Sequence, residues 1–249
     1  MGKDSGIAWC DNSNSPWQGC KKFSEGCQHC YMFRDKKRWG QDPHRIHRST
    51  NRTFNRPLHW KEPSRIFVCP WSDFFLKEAD EWRDEYWEII RKCPWHTFLL
   101  LTKRAHNIEE RLPEDWGEGY PNVWLGITGE NQKRFEERME ILKSIPASVR
   151  FVSAEPLLSA LDIRGYEEYI DWLIVAGESG PGARTFDMRW AYDLRDQCEK
   201  DGIAFFMKQM GANASFDGVQ QVFDHRSAEA PEEWPEDLRI RQFPHTGQP

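Results

Sequence analysis

The sequence lacks three features that would assign the chain to a simple class. No stretch approaches the roughly 18 consecutive apolar residues that indicate a membrane-spanning helix. Residues 1–10 contain no positive segment followed by an apolar run, so they do not resemble a secretory signal. Positive charge is not in excess, because 34 Lys and Arg against 40 Asp and Glu give a net charge of −6. We therefore expect a cytoplasmic protein without membrane contact, in which nucleic acid binding would need a local basic surface.

One local basic stretch is present, between Arg34 and Arg56. A charge run of this kind is typical of a solvated helix face followed by a basic loop, and it is equally typical of a phosphate-binding surface. The sequence leaves both interpretations open. The basic side chains of the stretch are Arg34, Lys36, Lys37, Arg38, Arg45, Arg48, Arg52 and Arg56, together with His44 and His47.

The seven cysteines are clustered instead of being spread along the chain. Cys20, Cys27 and Cys30 fall within eleven residues, in the pattern C-x6-C-x2-C. Gly19 and Gly26 allow the loop backbone conformations that a β-carbon disfavours. An odd and clustered set of cysteines indicates metal or redox chemistry in a reducing cytoplasm.

Three close cysteines without a close fourth leave two kinds of metal centre open. A structural zinc site needs four ligands, and Cys10, His29, His44 or His47 would have to complete it. A four-iron cluster is ordinarily held by four cysteines, so three would leave one iron open to another ligand. Cys69, Cys93 and Cys198 lie in or beside apolar runs and are predicted to be small buried side chains, although Cys69 also ends a predicted strand beside the site.

Short apolar runs alternate with helical segments, which predicts an α/β fold with a mostly parallel sheet. Periodicity does not separate a complete or partial barrel of the (β/α) TIM type from an open doubly wound sheet. We expect one barrel domain over 1–210 and an irregular extension of the same domain over 211–249. The predicted strands are 7–10, 65–69, 97–101, 122–127, 149–153, 171–176 and 203–207, and the predicted helices are 28–39, 79–92, 105–112, 131–144 and 188–201.

Polar side chains follow the predicted strands. In parallel α/β folds the carboxyl ends of the strands carry the active site, so these residues are predicted to form a functional rim next to the cysteine loop. The charged, hydroxyl and amide side chains at these positions are Ser72, Asp73, Thr102, Lys103, Arg104, Thr128, Glu130, Asn131, Glu155, Glu178, Ser179, Lys208 and Gln209.

The cysteine run and six further motifs, from Trp9 to Gly211, resemble the phage Gp37/Gp68-type three-cysteine family, which is DUF5131-like. More distantly the chain is similar to radical S-adenosylmethionine (SAM) enzymes such as spore photoproduct lyase, although their first cysteine gap is usually three residues. The motifs are W-S-D-F-F, L-L-T-K-R, W-L-G-I-T-G-E-N-Q, R-F-V-S-A-E-P-L-L, V-A-G-E-S-G-P-G-A-R and F-F-M-K-Q-M-G.

The resemblance implies a radical SAM-type barrel in which Cys20, Cys27 and Cys30 hold a [4Fe–4S] cluster. SAM would bind the open iron and be cleaved reductively to a 5′-deoxyadenosyl radical. Catalytic roles would fall to Cys69 as a hydrogen-atom donor, to Lys103 and to Glu178. The implied cofactor-binding residues are His29, Tyr31, Ser72, Asp73, Lys103, Thr128, Glu130, Asn131, Glu155, Glu178, Ser179 and Lys208.

Two functions of different kinds follow from these observations. The first is a radical SAM enzyme that acts on a nucleic acid base or nucleotide and takes electrons from a donor such as a flavodoxin or ferredoxin. The second is a zinc-stabilised α/β protein that binds nucleic acid or a protein partner without catalysis.

Overall fold

A computed structural model describes residues 4–245 and shows an α/β fold. Its main sheet is a curled half-barrel of seven parallel strands in the order β1-β4-β5-β6-β7-β8-β10. The prediction of a mostly parallel sheet, in complete or partial barrel form, is confirmed at this level. These strands are β1 (Asn12–Asn14), β4 (Arg65–Val68), β5 (Thr97–Thr102), β6 (Val123–Thr128), β7 (Val149–Ala154), β8 (Trp172–Ala176) and β10 (Ala204–Gln209).

The remaining strands form two small sheets. One pairs β2 (Trp17–Gln18) with β3 (His47–Arg48), and the other joins β9 (Phe186–Asp187), β11 (Ala214–Phe216) and β12 (Val219–Gln220). Among residues 4–245, no helix combines the length and apolar character needed to cross a membrane. The α-helices are α1 (Tyr31–Arg38), α2 (Asn51–Phe54), α3 (Asp80–Lys92), α4 (Gln132–Leu142) and α5 (Met188–Asp201).

The predicted first strand at 7–10 is wrong. Residues 7–10 form a turn, in which the Cys10 amide donates to the Ile7 carbonyl, and β1 lies at Asn12–Asn14. The buried amides of this strand have side-chain partners, because Asn12 Nδ2 donates to Ser64 Oγ over 2.9 Å and Asn14 Nδ2 donates to the Tyr86 hydroxyl over 3.0 Å. Hydrogen bonding therefore compensates for the burial of the two Nδ2 groups, whereas the buried Oδ1 atom of Asn14 has no hydrogen-bond partner among the described residues.

The predicted helix over 105–112 is also wrong. This segment contains two 3-10 turns, Ala105–Asn107 and Glu109–Arg111, in place of an α-helix. The Asn107 side chain donates to the Phe75 carbonyl over 2.9 Å, and Pro113 disfavours helical backbone at Leu112. The other four predicted helices are present, with ends that differ by at most three residues, and α5 has the predicted ends.

The chain divides into two compact units. The first runs up to Gly126 and includes Ser144–Ser148; the second contains Ile127–Lys143 and the residues from Val149 onward. In the first unit, aromatic packing centres on Phe74, Tyr86 and Trp87. In the second unit, Trp172 packs against Phe151 and Phe206.

The C-terminal segment of the second unit is attached to the edge of the main sheet. The Met207 amide donates to the Ile240 carbonyl over 2.8 Å, and the Gln242 amide donates to the Phe205 carbonyl over 2.9 Å. Residues 240–242 therefore run alongside β10, which is the last strand of the sheet order.

Candidate metal centre

The three clustered cysteines lie on a loop that follows β2. Cys20 comes directly after Gly19, Cys27 ends the 3-10 turn Glu25–Cys27, and Cys30 is the N-cap of α1. Gly19 has φ +87°, and a β-carbon there would lie 2.3 Å from the Arg45 carbonyl oxygen. The close approach of two backbone segments therefore requires glycine at the start of the loop.

The sulfurs share one partly apolar environment. Cys27 is buried, and Cys20 and Cys30 are half-buried against a cluster of Met32, Phe33 and Trp71. Burial raises the pKa of the Cys20 thiol to about 12, and the Cys27 and Cys30 sulfurs also raise it. Cys20 and Cys30 pack against the same apolar cluster, and Cys27 precedes Cys30 by three residues at the end of the 3-10 turn, so the three thiols belong to one region of the loop.

The N-terminus of α1 and a lysine act on Cys30. Burial raises the pKa of this thiol, while the nearby backbone amides of Met32 and Phe33 lower it, although the Cys30 side chain makes no capping hydrogen bond. The Lys103 ammonium lowers it further. The first turn of a helix and a cation both stabilise a thiolate, so this position favours sulfur in its ligating form.

Arg104 connects Cys20 to the end of β5. Its guanidinium lies 3.8 Å from the Cys20 sulfur and donates to the Asp73 carboxylate over 3.0 Å. The same group donates to the Lys21 carbonyl over 2.6 Å. One buried cation therefore contacts a cysteine, the loop backbone and a carboxylate.

Asp73 and Ser72 serve as connections within this centre. The Oδ1 atom of Asp73 accepts from the Thr102 hydroxyl over 2.7 Å and from the Phe75 amide over 3.0 Å. Its Oδ2 atom accepts from the Lys103 amide over 3.2 Å as well as from Arg104. The Ser72 hydroxyl donates to the Gly19 carbonyl over 2.6 Å. The two residues thus join the ends of β4 and β5 to the cysteine loop, and their predicted binding of a cofactor stays a prediction.

The aromatic wall of the centre is built around Trp71. Its ring is stacked against Trp39 at 5.2 Å between centroids and meets the edge of Tyr31 at 6.3 Å. The Tyr31 hydroxyl donates to the Pro70 carbonyl over 2.6 Å. His29, the other predicted cofactor-binding residue of this segment, is half-buried next to Cys30.

Cys69 lies in the same unit with an unusual backbone. It has φ +64°, which is rare for any residue other than glycine, and its side chain is buried. Burial raises the pKa of its thiol well above the ordinary value, and the Cys20 sulfur contributes to the increase. Cys69 is therefore near the clustered cysteines, and its role as a hydrogen-atom donor stays a prediction. Cys93 and Cys198 are buried, as predicted.

In the second unit, Glu130 is a buried partner of Arg138. Both oxygens of the Glu130 carboxylate accept from this guanidinium, which also donates to the Thr128 carbonyl, and Glu130 has no exposed surface. Asn131 is the N-cap of α4, where its side chain accepts from the Arg134 amide over 3.0 Å. These contacts fix the loop between β6 and α4.

The other strand ends of the second unit also carry ion pairs. The Lys208 ammonium contacts Glu155, and Lys208 occupies an irregularity in the pairing of β10 with β8. Glu178 is buried, and both of its oxygens accept from Arg184. Ser179 follows it at a half-buried position. Glu155 and Glu178 are thus each paired with a cation.

Two arginine partners were missed by the sequence interpretation. Arg138 lies on a helix that looks amphipathic, and Arg184 lies in the glycine-rich loop. The signal for them in the sequence was the predicted rim residues Glu130 and Glu178, because a carboxylate that becomes buried needs a cation or several hydrogen-bond donors. Within residues 4–245, no three His, Cys, Asp or Glu side chains, including the clustered cysteines, are grouped closely enough to hold a single metal ion.

Comparison with known proteins decides the family. The model of a family described as "Protein of unknown function (DUF5131)" matches residues 4–236. The chain belongs to the DUF5131 family. Neither the curated proteins nor the solved structures contain a match to it. Membership confirms the resemblance of the motifs to this family, while the similarity to radical SAM enzymes belongs to the proposal below.

Proposed function

We propose that this DUF5131 protein is a radical SAM-type iron–sulfur enzyme with a partial barrel. The observation that carries the proposal is that Cys20 and Cys30 pack against one apolar cluster, with Cys27 in the same loop and the Arg104 guanidinium 3.8 Å from the Cys20 sulfur. Three cysteines leave one iron of a four-iron cluster open, which is where SAM would bind.

The residues present fit such a cluster. A cluster held by three thiolates carries negative charge, and the Arg104 guanidinium and the Lys103 ammonium lie beside Cys20 and Cys30. Met32, Phe33 and Trp71 exclude water from one side, which protects a cluster and tunes its potential. Because burial raises the pKa of the Cys20 and Cys30 thiols, metal loading would release protons from these two residues.

When bound, the cluster and SAM supply reductive cleavage of SAM and a 5′-deoxyadenosyl radical that removes a hydrogen atom from the substrate. The chain's own residues position and shield the reacting groups. Asp73 holds Arg104 beside Cys20, and Cys30 lies at the N-cap of α1, beside the first backbone amides of that helix.

The other predicted residues are proposed to bind SAM or to act in catalysis. Ser72, Tyr31 and His29 line the cysteine segment, and Lys103 is proposed to neutralise the SAM carboxylate. The cofactor roles of the second-unit residues Thr128, Glu130, Asn131, Glu155, Glu178, Ser179 and Lys208 stay predictions.

We propose a nucleic acid base or nucleotide as substrate, supported by the basic stretch between Arg34 and Arg56, and a flavodoxin or ferredoxin as electron donor. The alternative is a zinc-stabilised α/β protein that binds nucleic acid or a protein partner without catalysis, in which Cys10, His29, His44 or His47 would complete the set of four ligands.

Formation of 5′-deoxyadenosine tests the proposal. The anaerobically reconstituted protein is incubated with SAM and dithionite, and the product is quantified by chromatography. We expect turnover in wild type and in the Cys93→Ala control, and none in Cys27→Ala. Absence of 5′-deoxyadenosine from a fully loaded wild-type protein would contradict the proposal.

A further inference from the structure

We propose that a surface formed by α1 and its C-terminal end binds single-stranded nucleic acid. This surface, called the α1 surface, consists of Tyr31, Arg34, Lys37, Arg38 and Trp39. The inference rests on the proposed function, because it names the substrate class of the same centre and the side from which the substrate arrives.

The first argument is the exposure of stacked aromatic rings. Trp39 is 58% exposed, although one face of its indole is stacked on Trp71 with an interplanar angle of 19°. Its opposite face is therefore open to a ligand. Tyr31 is 38% exposed beside the same ring. An exposed aromatic face on a rigid support is the platform on which an unpaired base stacks.

The second argument is the distribution of charge on α1. Met32, Phe33 and Lys36 form its buried face. Tyr31, Arg34 and Arg38 follow at spacings of three and four and therefore share the outer face. In the part of the chain that the structure describes, Arg34 is paired with Asp35, while no ion pair joins Lys37 or Arg38 to a carboxylate.

The charge of the whole segment strengthens this argument. Residues 34–56 contain eight Lys or Arg and two acidic residues, Asp35 and Asp42, so the segment carries +6 in a chain whose net charge is −6. A polyanion would be attracted to this segment and repelled by the rest of the molecule.

The exposed aromatic rings and the positive charge together indicate which ligand binds. An acidic peptide would use the cations but not an open indole face. A duplex would use the cations, but its bases are already stacked on one another. A single strand uses both, since its phosphates meet the cations while its bases stack on the aromatic rings.

The position of the platform connects it to the metal centre. Trp39 stacks on Trp71, and Cys20 and Cys30 pack against the cluster that contains Trp71. Within the cysteine loop, Phe23 adds another exposed ring, which is 42% exposed and stacked on His106 at 5.3 Å. The Trp71 ring would therefore lie between a base stacked on Trp39 and the side chains of Cys20 and Cys30.

Fluorescence anisotropy with labelled oligothymidylate, oligouridylate and a mixed-sequence duplex tests the inference on the full chain without cluster or SAM. We expect the single strands to bind more tightly than the duplex. Trp39→Ala should weaken single-strand binding about tenfold, whereas Trp95→Ala, which removes a 42% exposed tryptophan elsewhere in the first unit, should not. Tighter binding of oligothymidylate or of oligouridylate identifies DNA or RNA as the natural strand.

A second pair of variants separates phosphate contact from stacking. Arg38→Gln should weaken single-strand binding and reduce the slope of log affinity against log salt concentration by about 0.7. Lys133→Gln is the control, because Lys133 is 74% exposed outside the α1 surface, and it should change neither the affinity nor the slope. No binding, equal binding of the duplex, or full affinity in Trp39→Ala would overturn the inference. Since the assay needs no cluster, its result is independent of 5′-deoxyadenosine formation, and either proposal can fail alone.

Discussion

The Arg104 guanidinium donates to the Asp73 carboxylate over 3.0 Å, and both side chains are less than a tenth exposed. Asp73 follows β4 and Arg104 follows β5, so this pair joins two neighbouring strand ends. The same guanidinium reaches Cys20. The carboxylate of the W-S-D motif is therefore a structural part of the cysteine site.

We expect Asp73→Asn to destabilise the fold by about 3–5 kcal/mol, because it leaves the buried Arg104 cation without its counter-charge. Urea unfolding measures the loss. Asp162→Asn is the control, since Asp162 pairs with the exposed Arg164 and surface pairs contribute about 1 kcal/mol or less. Equal losses in the two variants would show that the Asp73–Arg104 pair is not structurally important.

A similar loss is expected for Glu130→Gln, because Arg138 would remain buried without a carboxylate. Glu137→Gln is the control. Glu137 lies on α4, as Arg138 does, and its half-exposed carboxylate pairs with Arg134, so its loss should lower the free energy of unfolding by less than about 1 kcal/mol. The midpoints of thermal unfolding of the two variants and of wild type are compared, and an unchanged midpoint in Glu130→Gln would refute the prediction.

Gly177 and Gly202 should respond differently to alanine. A β-carbon on Gly177 would lie 2.1 Å from the Met210 carbonyl oxygen, whereas one on Gly202, at φ +71°, meets nothing within 4 Å. We expect Gly202→Ala to cost about 1 kcal/mol through its backbone conformation alone. Gly177→Ala should lower the free energy of unfolding distinctly more, because the backbone at residue 177 and the backbone at Met210 would have to move apart. Denaturant titration of both variants gives the comparison, and a smaller loss in Gly177→Ala would contradict the structure.

Alkaline pH should destabilise the protein through Cys198. Burial raises the pKa of this thiol from 9.0 to about 12. The unfolded chain therefore ionises first, and the stability that is fully present below pH 9 is lost as the pH rises toward about 12. Over that window wild type should lose about 1.4 kcal/mol per pH unit more than Cys198→Ala does. If the free energy of unfolding fell equally with pH in wild type and Cys198→Ala, the raised pKa of the Cys198 thiol would be contradicted.

The sequence allowed much of the sheet to be predicted, because strands buried on both faces form continuous apolar runs. The strand Asn12–Asn14 escaped prediction because its burial depends on side-chain partners at Ser64 and Tyr86, which are distant in sequence. The segment 105–112 escaped because local hydrogen bonding and a following proline prevented an α-helix.

The cysteine spacing and the polar strand ends indicated the candidate site, but the sequence did not indicate which charged side chains pair within it. The spacing of Cys20, Cys27 and Cys30 marked the centre directly. The contact between Glu155 and Lys208 spans 53 positions, and the sequence gives no measure of such pairing. The cation that reaches Cys20 comes from Arg104, 84 positions away. Long-range electrostatic partners depend on the folded arrangement and not on local pattern.

The central claim, an open iron in a cluster held by three cysteines, is tested most directly by absorbance and electron paramagnetic resonance spectroscopy of anaerobically reconstituted protein. We predict a broad band near roughly 400 nm and a reduced-cluster signal that changes when SAM is added. Both should be lost in Cys20→Ala, Cys27→Ala and Cys30→Ala and kept in Cys93→Ala. A colourless protein with about one zinc per chain, or a cluster signal that SAM leaves unchanged, would contradict the account.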